Sequence, residues 1–186
     1  MSIYGCSILT AQPLDRADCV AELEQRGAAT RIHEDQRHVI EVSLPDEAPR
    51  FHHGSERRSL LWIEMEGEIS PEERAAIAKS TGVDVSERLT VIVSSAEGED
   101  QKIAAGVALW LADRYGGLIG YCGQLEIVRS LWHRLTGRDK QLKRLRARVH
   151  PEAWRVGTGD GDQESVSSAD FLERWVDHPE FHLLQL

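Results

Sequence analysis

The chain has 186 residues, 41% of them hydrophobic and 28% charged, with a formal net charge of −9 at neutral pH. That length is one domain with a core of its own, and the apolar content excludes a disordered chain. An acidic surface repels nucleic acid and membranes and attracts basic partners.

The longest apolar stretch, Ile103 to Ala112, falls well short of the roughly 20 residues that cross a bilayer, and the opening MSIYGCSILT lacks the basic region of an export signal. The three cysteines, Cys6, Cys19 and Cys122, form no C-x-x-C pair, which argues against a disulfide framework or a zinc knuckle. A cytoplasmic location is expected, and no cofactor or metal. Charge is unevenly spread. Of 22 basic and 31 acidic residues, eight and one (Asp139) lie in 129–148, which leaves 14 and 30 elsewhere. The chain is an acidic body with one basic segment.

In chain order, residues 2–9 read as a strand and Leu14 to Arg26 as a helix ending at Gly27. In 37–44, Ile40, Val42 and Leu44 alternate with Glu41 and Ser43, as in a half-buried strand that also carries His38 on its apolar side. The polar stretch 45–58 reads as an exposed loop. Residues 59–66 place Leu61, Ile63 and Met65 on one face and Leu60, Trp62, Glu64 and Glu66 on the other. Ser70-Pro71-Glu72-Glu73 is a helix start, with a capping serine, proline at the first helical position and a glutamate that reaches back. That helix stops at Gly82, and 88–94 is apolar on both faces, as a central strand is.

Ile103, Val107, Trp110 and Leu111 give 99–115 the stripe of a buried helix, closed by Gly116-Gly117 and followed by a short strand, 118–122. Helical spacing continues through Leu125, Val128, Trp132 and Leu135 and resumes at Leu142, Leu145 and Val149, with the basic residues outside. The segment 157–167 reads as a second exposed loop. Beyond it, Ser167 or Ser168 caps a helix carrying Phe171, Leu172 and Trp175, and 181–184 can add an edge strand. The expected fold is a single α+β domain over 1–186, with a mixed or antiparallel sheet of about five strands and helices on one face. The element order suggests a ferredoxin-like sandwich with a C-terminal helical extension.

Candidate chemistry is weighed against plainer roles. Gly116, Gly117, Gly120 and Gly123 follow a helix and lead into a strand, the reverse of a phosphate-binding turn, so they read as helix termination. Glu64 and Glu66 could bind a cation or act as acid and base, but a solvated strand end explains them without a third ligand. His178 and His182 have metal-ligand spacing that Pro179 breaks, and His52-His53 sit in a loop. Cysteines in strands and helices are ordinarily buried small hydrophobes. Asp160-Gly161-Asp162 lacks the glycine and distal glutamate of a calcium loop. The basic segment, with Arg129, Arg134, Arg138, Lys140, Lys143 and Arg144, could grip phosphates, although its apolar spacing fits a solvated helix face.

Two phrases, LADRYGGLIGYC from Leu111 and FLERWVDHPEFHLL from Phe171, resemble in style the small bacterial cytoplasmic immunity proteins that partner secreted polymorphic toxins. What that resemblance implies is occlusion: the protein covers a toxin's active site or holds the toxin closed, without chemistry of its own and with a toxin domain as partner. The acidic residues expected to meet it are Glu64, Glu66, Glu68, Glu97, Glu99, Asp100, Asp160, Asp162 and Glu164. The competing readings are a small hydrolase or transferase using Glu64 and Glu66 or the histidines, and an adaptor that meets nucleic acid or an anionic protein through 129–148.

Overall fold

A computed structural model describes residues 3–33, 36–44, 59–94, 98–121, 153–157, 163–177, 181 and 183–185. Its centre is β1 (Tyr4–Thr10), whose side chains alternate between two buried environments. Cys6 and Ile8 face one side and Ser7 and Leu9 the other, and all four are buried. A strand with both faces covered must lie inside a sheet that carries packing on each side. The described residues form nine strands in one sheet, all neighbours antiparallel.

The chain leaves β1 for α1 (Arg16–Gln25), which Asp15 caps by accepting from the N–H groups of Ala17 and Asp18. It then runs up and down through β2 (Ala29–His33), β3 (Gln36–Leu44) and β4 (Ser59–Glu68). The helix α2 (Pro71–Thr81) begins where the sequence places it. Ser70 Oγ accepts from the Glu73 N–H, the Glu73 carboxylate pairs with Arg88 instead of reaching back to Ser70, and Gly82 ends the helix in the left-handed region at φ 75°. A serine cap of this kind is worth about 1 kcal/mol. β5 (Glu87–Val93) returns between β4 and β1. α3 (Gly98–Tyr115) then leads through Gly116 into β6 (Gly117–Gly120), on the other side of β1. Last come β7 (Ala153–Gly157), β8 (Gln163–Ser167), α4 (Ala169–Val176) and β9 (Leu184–Gln185), giving the strand order β2-β3-β4-β5-β1-β6-β8-β7 with β9 beside β1.

The main core lies on the inner face. Ile40, Val42, Leu61, Ile63, Leu89, Val91, Cys6 and Ile8 meet Ile103, Val107 and Leu111 of α3, Cys19 and Leu23 of α1, and Leu172 and Trp175 of α4. The expected stripe on α3 is therefore the buried one. An aromatic series closes one end: Tyr121 meets Phe171 edge-on at 6.1 Å, Phe171 stacks on Trp175 at 6.4 Å, and Trp175 meets Phe181 edge-on at 6.3 Å. The Tyr121 hydroxyl hydrogen-bonds Ser167 Oγ at 2.9 Å, which satisfies a polar atom buried among apolar groups. On the outer face, Ile77 of α2 packs with Leu9, Leu118, Val156 and Val166 in a second, smaller core.

The single α+β domain stands, and four parts of the sequence expectation are corrected. The sheet has nine strands rather than about five, because β2 and β7 lie in stretches to which the sequence assigns no element and β8 lies in the expected loop. Helices lie on both faces, since α2 takes the side opposite α1, α3 and α4. The order is not ferredoxin-like: the hairpin β2-β3 adds a strand after α1, and β1 is flanked by antiparallel β5 and β6 instead of a parallel neighbour. The exposed loop expected over 157–167 contains β8, whose Ser165, Val166 and Ser167 are buried. The C-terminal strand expected at an edge is β9, which pairs with β1 alone among the described strands, beside Tyr4 and Gly5 where β6 leaves off. The loop 45–58 and the segment 122–152 lie outside the described residues.

Candidate docking surface

Strand register sets which residues are neighbours on the outer face. Across β2, β3, β4, β5 and β1 one row reads Arg31, Glu41, Trp62, Ile92 and Gly5. The next row reads Val39, Glu64, Thr90 and Ser7, and on the other side of the first row Ser43 stands opposite Leu60. Thr90 and Ser7 are buried and share a hydroxyl–hydroxyl hydrogen bond of 3.0 Å. Toward β3 and β4 the face opens. Val39, Glu41, Trp62, Glu64 and Ile92 are half-buried, and Leu60 is 43% exposed. Ile3, which precedes β1 and by alternation shares this side, is 42% exposed. Among the described residues, α2 is the helix on this face, and it packs at the far end, toward β7.

The other expected site residues do not gather here. Glu64 lies within this face. The strict alternation that would set Glu66 beside it ends at Met65, because a bulge lets Gly67, at φ 88°, take the place opposite Arg88. Glu68 stands opposite Glu87 at the end of β4. Glu99 and Asp100 occupy the first turn of α3, where carboxylates favour the helix dipole, and Glu99 pairs with Lys102 at 3.6 Å. Glu164 belongs to β8, opposite Val156. Glu97, Asp160, Asp162 and the whole basic segment, Arg129, Arg134, Arg138, Lys140, Lys143 and Arg144 included, lie outside the described residues. So do six of the eight histidines; His33 and His38 lie in β2 and β3.

A concavity of about 470 Å³ lies between α1 and α3 and is lined by Asp18, Glu22, Gln25, Arg26 and Arg114. Arg114 Nε donates to Glu22 Oε1 at 2.7 Å, and the Arg26 guanidinium sits 4.9 Å from the centre of the Trp110 ring. Both cations are engaged by the protein's own groups. Beneath them Tyr115 is only 7% exposed, and its hydroxyl has no hydrogen-bond partner among the described residues. Burial, then the nearby Cys19 and Glu22, pushes Tyr115 up to about 12. Burial, then Glu22, likewise pushes the Cys19 thiol up to about 12. A raised thiol pKa lowers the thiolate fraction available for nucleophilic attack. Among the described residues no three His, Cys, Asp or Glu converge as a metal site.

Two expectations follow from this pair. Tyr115→Phe removes an unpaired buried polar atom and should leave the melting temperature unchanged or raise stability by up to about 1 kcal/mol; a fall would show that the hydroxyl is bonded. Cys19 ordinarily ionises at 9.0, so its contribution is intact below that pH and is lost as pH climbs toward 12, because the unfolded chain releases the proton first. Thermal melts should therefore fall above pH 9, and Cys19→Ala should flatten the fall between pH 9 and about 10, where tyrosine begins to ionise.

The architecture defines a class, a single α+β domain on an open antiparallel sheet with helices on both faces. Within that class, the model described as a family of unknown function, DUF6368, matches residues 5–185, and the chain belongs to that family. No curated protein and no solved structure matches the chain. Among the described residues no helix is long and apolar enough to cross a membrane.

Proposed function

We propose that this protein acts by binding another protein, as an immunity partner that neutralises a secreted bacterial toxin by occlusion. The observation that carries the reading is the charge distribution: outside 129–148 the chain holds 30 acidic against 14 basic residues. A net-acidic body of this kind accelerates encounter with a basic nuclease or cationic toxin domain, and apolar anchors then set the lifetime of the complex. The style-level likeness to immunity proteins points the same way.

The experiment is co-expression with the variable C-terminal domain of a secreted protein encoded beside the gene. Cells that carry both should survive, and the purified pair should bind with a submicromolar Kd. Raising salt from about 50 to 500 mM should slow association by about tenfold or more, since exposed charges are screened beyond a few ångströms at high ionic strength. An on-rate indifferent to salt contradicts the electrostatic part of the proposal, and unprotected cells contradict the whole.

A further inference from the structure

We propose that the outer face of β3, β4 and β5 is the docking surface, with Trp62 as the central anchor, and that its occupant is a cationic protein surface; this rests on the protein-binding reading above. An antiparallel sheet that turns one face to water carries polar residues at its outward positions. On β3 Glu41 and Ser43 obey this rule and Val39 does not. On β4 and β5 it fails, where Leu60, Trp62 and Ile92 take the outward places while Leu61, Ile63, Val91 and Val93 already fill the inner core. Val39, Leu60, Trp62 and Ile92 are neighbours in register across three strands, and Leu60 and Ile3 are 42–43% exposed. A contiguous exposed apolar patch rimmed by polar groups marks an interaction site.

The residue types fit a protein partner. Tryptophan at the centre of a patch is the side chain most enriched among interface hot spots, because it buries a large rigid surface at small entropic cost. Glu41 flanks Trp62 directly in register, and Glu64 lies two residues along the same strand face. An incoming surface that presents lysine or arginine around an apolar centre suits the net-acidic body as Trp62 is covered. A second copy of this chain would bring together two bodies each at −9, which disfavours self-association.

The test uses the full-length protein and the purified neighbouring toxin domain, with calorimetry for affinity. Trp62→Ala and Leu60→Asp should each weaken binding by about 30-fold or more, and Glu64→Gln by about three- to tenfold, mostly through the on-rate. Glu173→Gln, on α4 across the sheet from this face, should bind as the wild type does. Leu60 is exposed enough that its variant keeps the fold if Trp62→Ala does not, and thermal melts check both. Wild-type affinity in the Trp62 and Leu60 variants would overturn the surface assignment and leave protein binding standing. A wild-type protein that binds no such domain would overturn both. Two other occupants would also overturn it: a wild-type dimer that Leu60→Asp dissociates, or zero-length carbodiimide crosslinks in the free protein from Glu41 or Glu64 to a lysine of 129–148.

Discussion

Leu111→Ala should destabilise the protein by about 2–5 kcal/mol. Leu111 is fully buried where α3 lies over the inner face, among residues of the main core. Truncation removes its transfer energy and leaves a cavity that the rigid sheet below cannot close. For a chain of this size the loss corresponds to a fall in melting temperature of roughly 5–15 °C. Leu109, on the same helix but only partly buried, should lose less when truncated. Equal losses at the two positions would show that α3 does not press this stripe into the core.

Gly117→Ala should destabilise by about 1–3 kcal/mol although it adds a single methyl. Gly117 opens β6 opposite Thr10, and a Cβ there would lie 2.7 Å from the carbonyl oxygen of Leu9 and 3.3 Å from Ile8 Cγ2. The nearer atom belongs to the backbone of the central strand, so it cannot swing aside as a flexible side chain would. Accommodation means moving β6 away from β1 and with it the pairing to β8. Gly98→Ala is the control, because a Cβ at that first residue of α3 meets nothing within 4 Å, and it should be neutral or slightly stabilising. Similar melting curves for the two variants would mean that β6 is less tightly held than its geometry shows.

Elements that carry their own signal were legible in the sequence. The Ser70-Pro71 cap, the α3 stripe and the alternation of β3 all fold as read, because local propensity and hydrophobic periodicity agree there. β2, β7 and β8 were not. ATRIH and QESVS have the composition of connections, and they become strands because a neighbouring edge satisfies their backbone. The bulge at Gly67 was likewise hidden, since a glycine between two glutamates reads as the end of a strand. The docking face was half visible: alternation put Leu60, Trp62 and Glu64 on one side of β4, but only the sheet order brings Val39, Glu41 and Ile92 against them. The cleft between α1 and α3 joins residues such as Glu22 and Arg114 that no local pattern connects.

The most direct measurement is oxidative footprinting of the protein, free and in complex with the toxin domain proposed as its partner. Trp62 and Leu60 should be oxidised in the free protein and shielded in the complex, whereas Phe171 and Trp175, buried in the core, should stay unreactive in both. Unchanged oxidation of Trp62 and Leu60 when the toxin domain is bound would contradict the account.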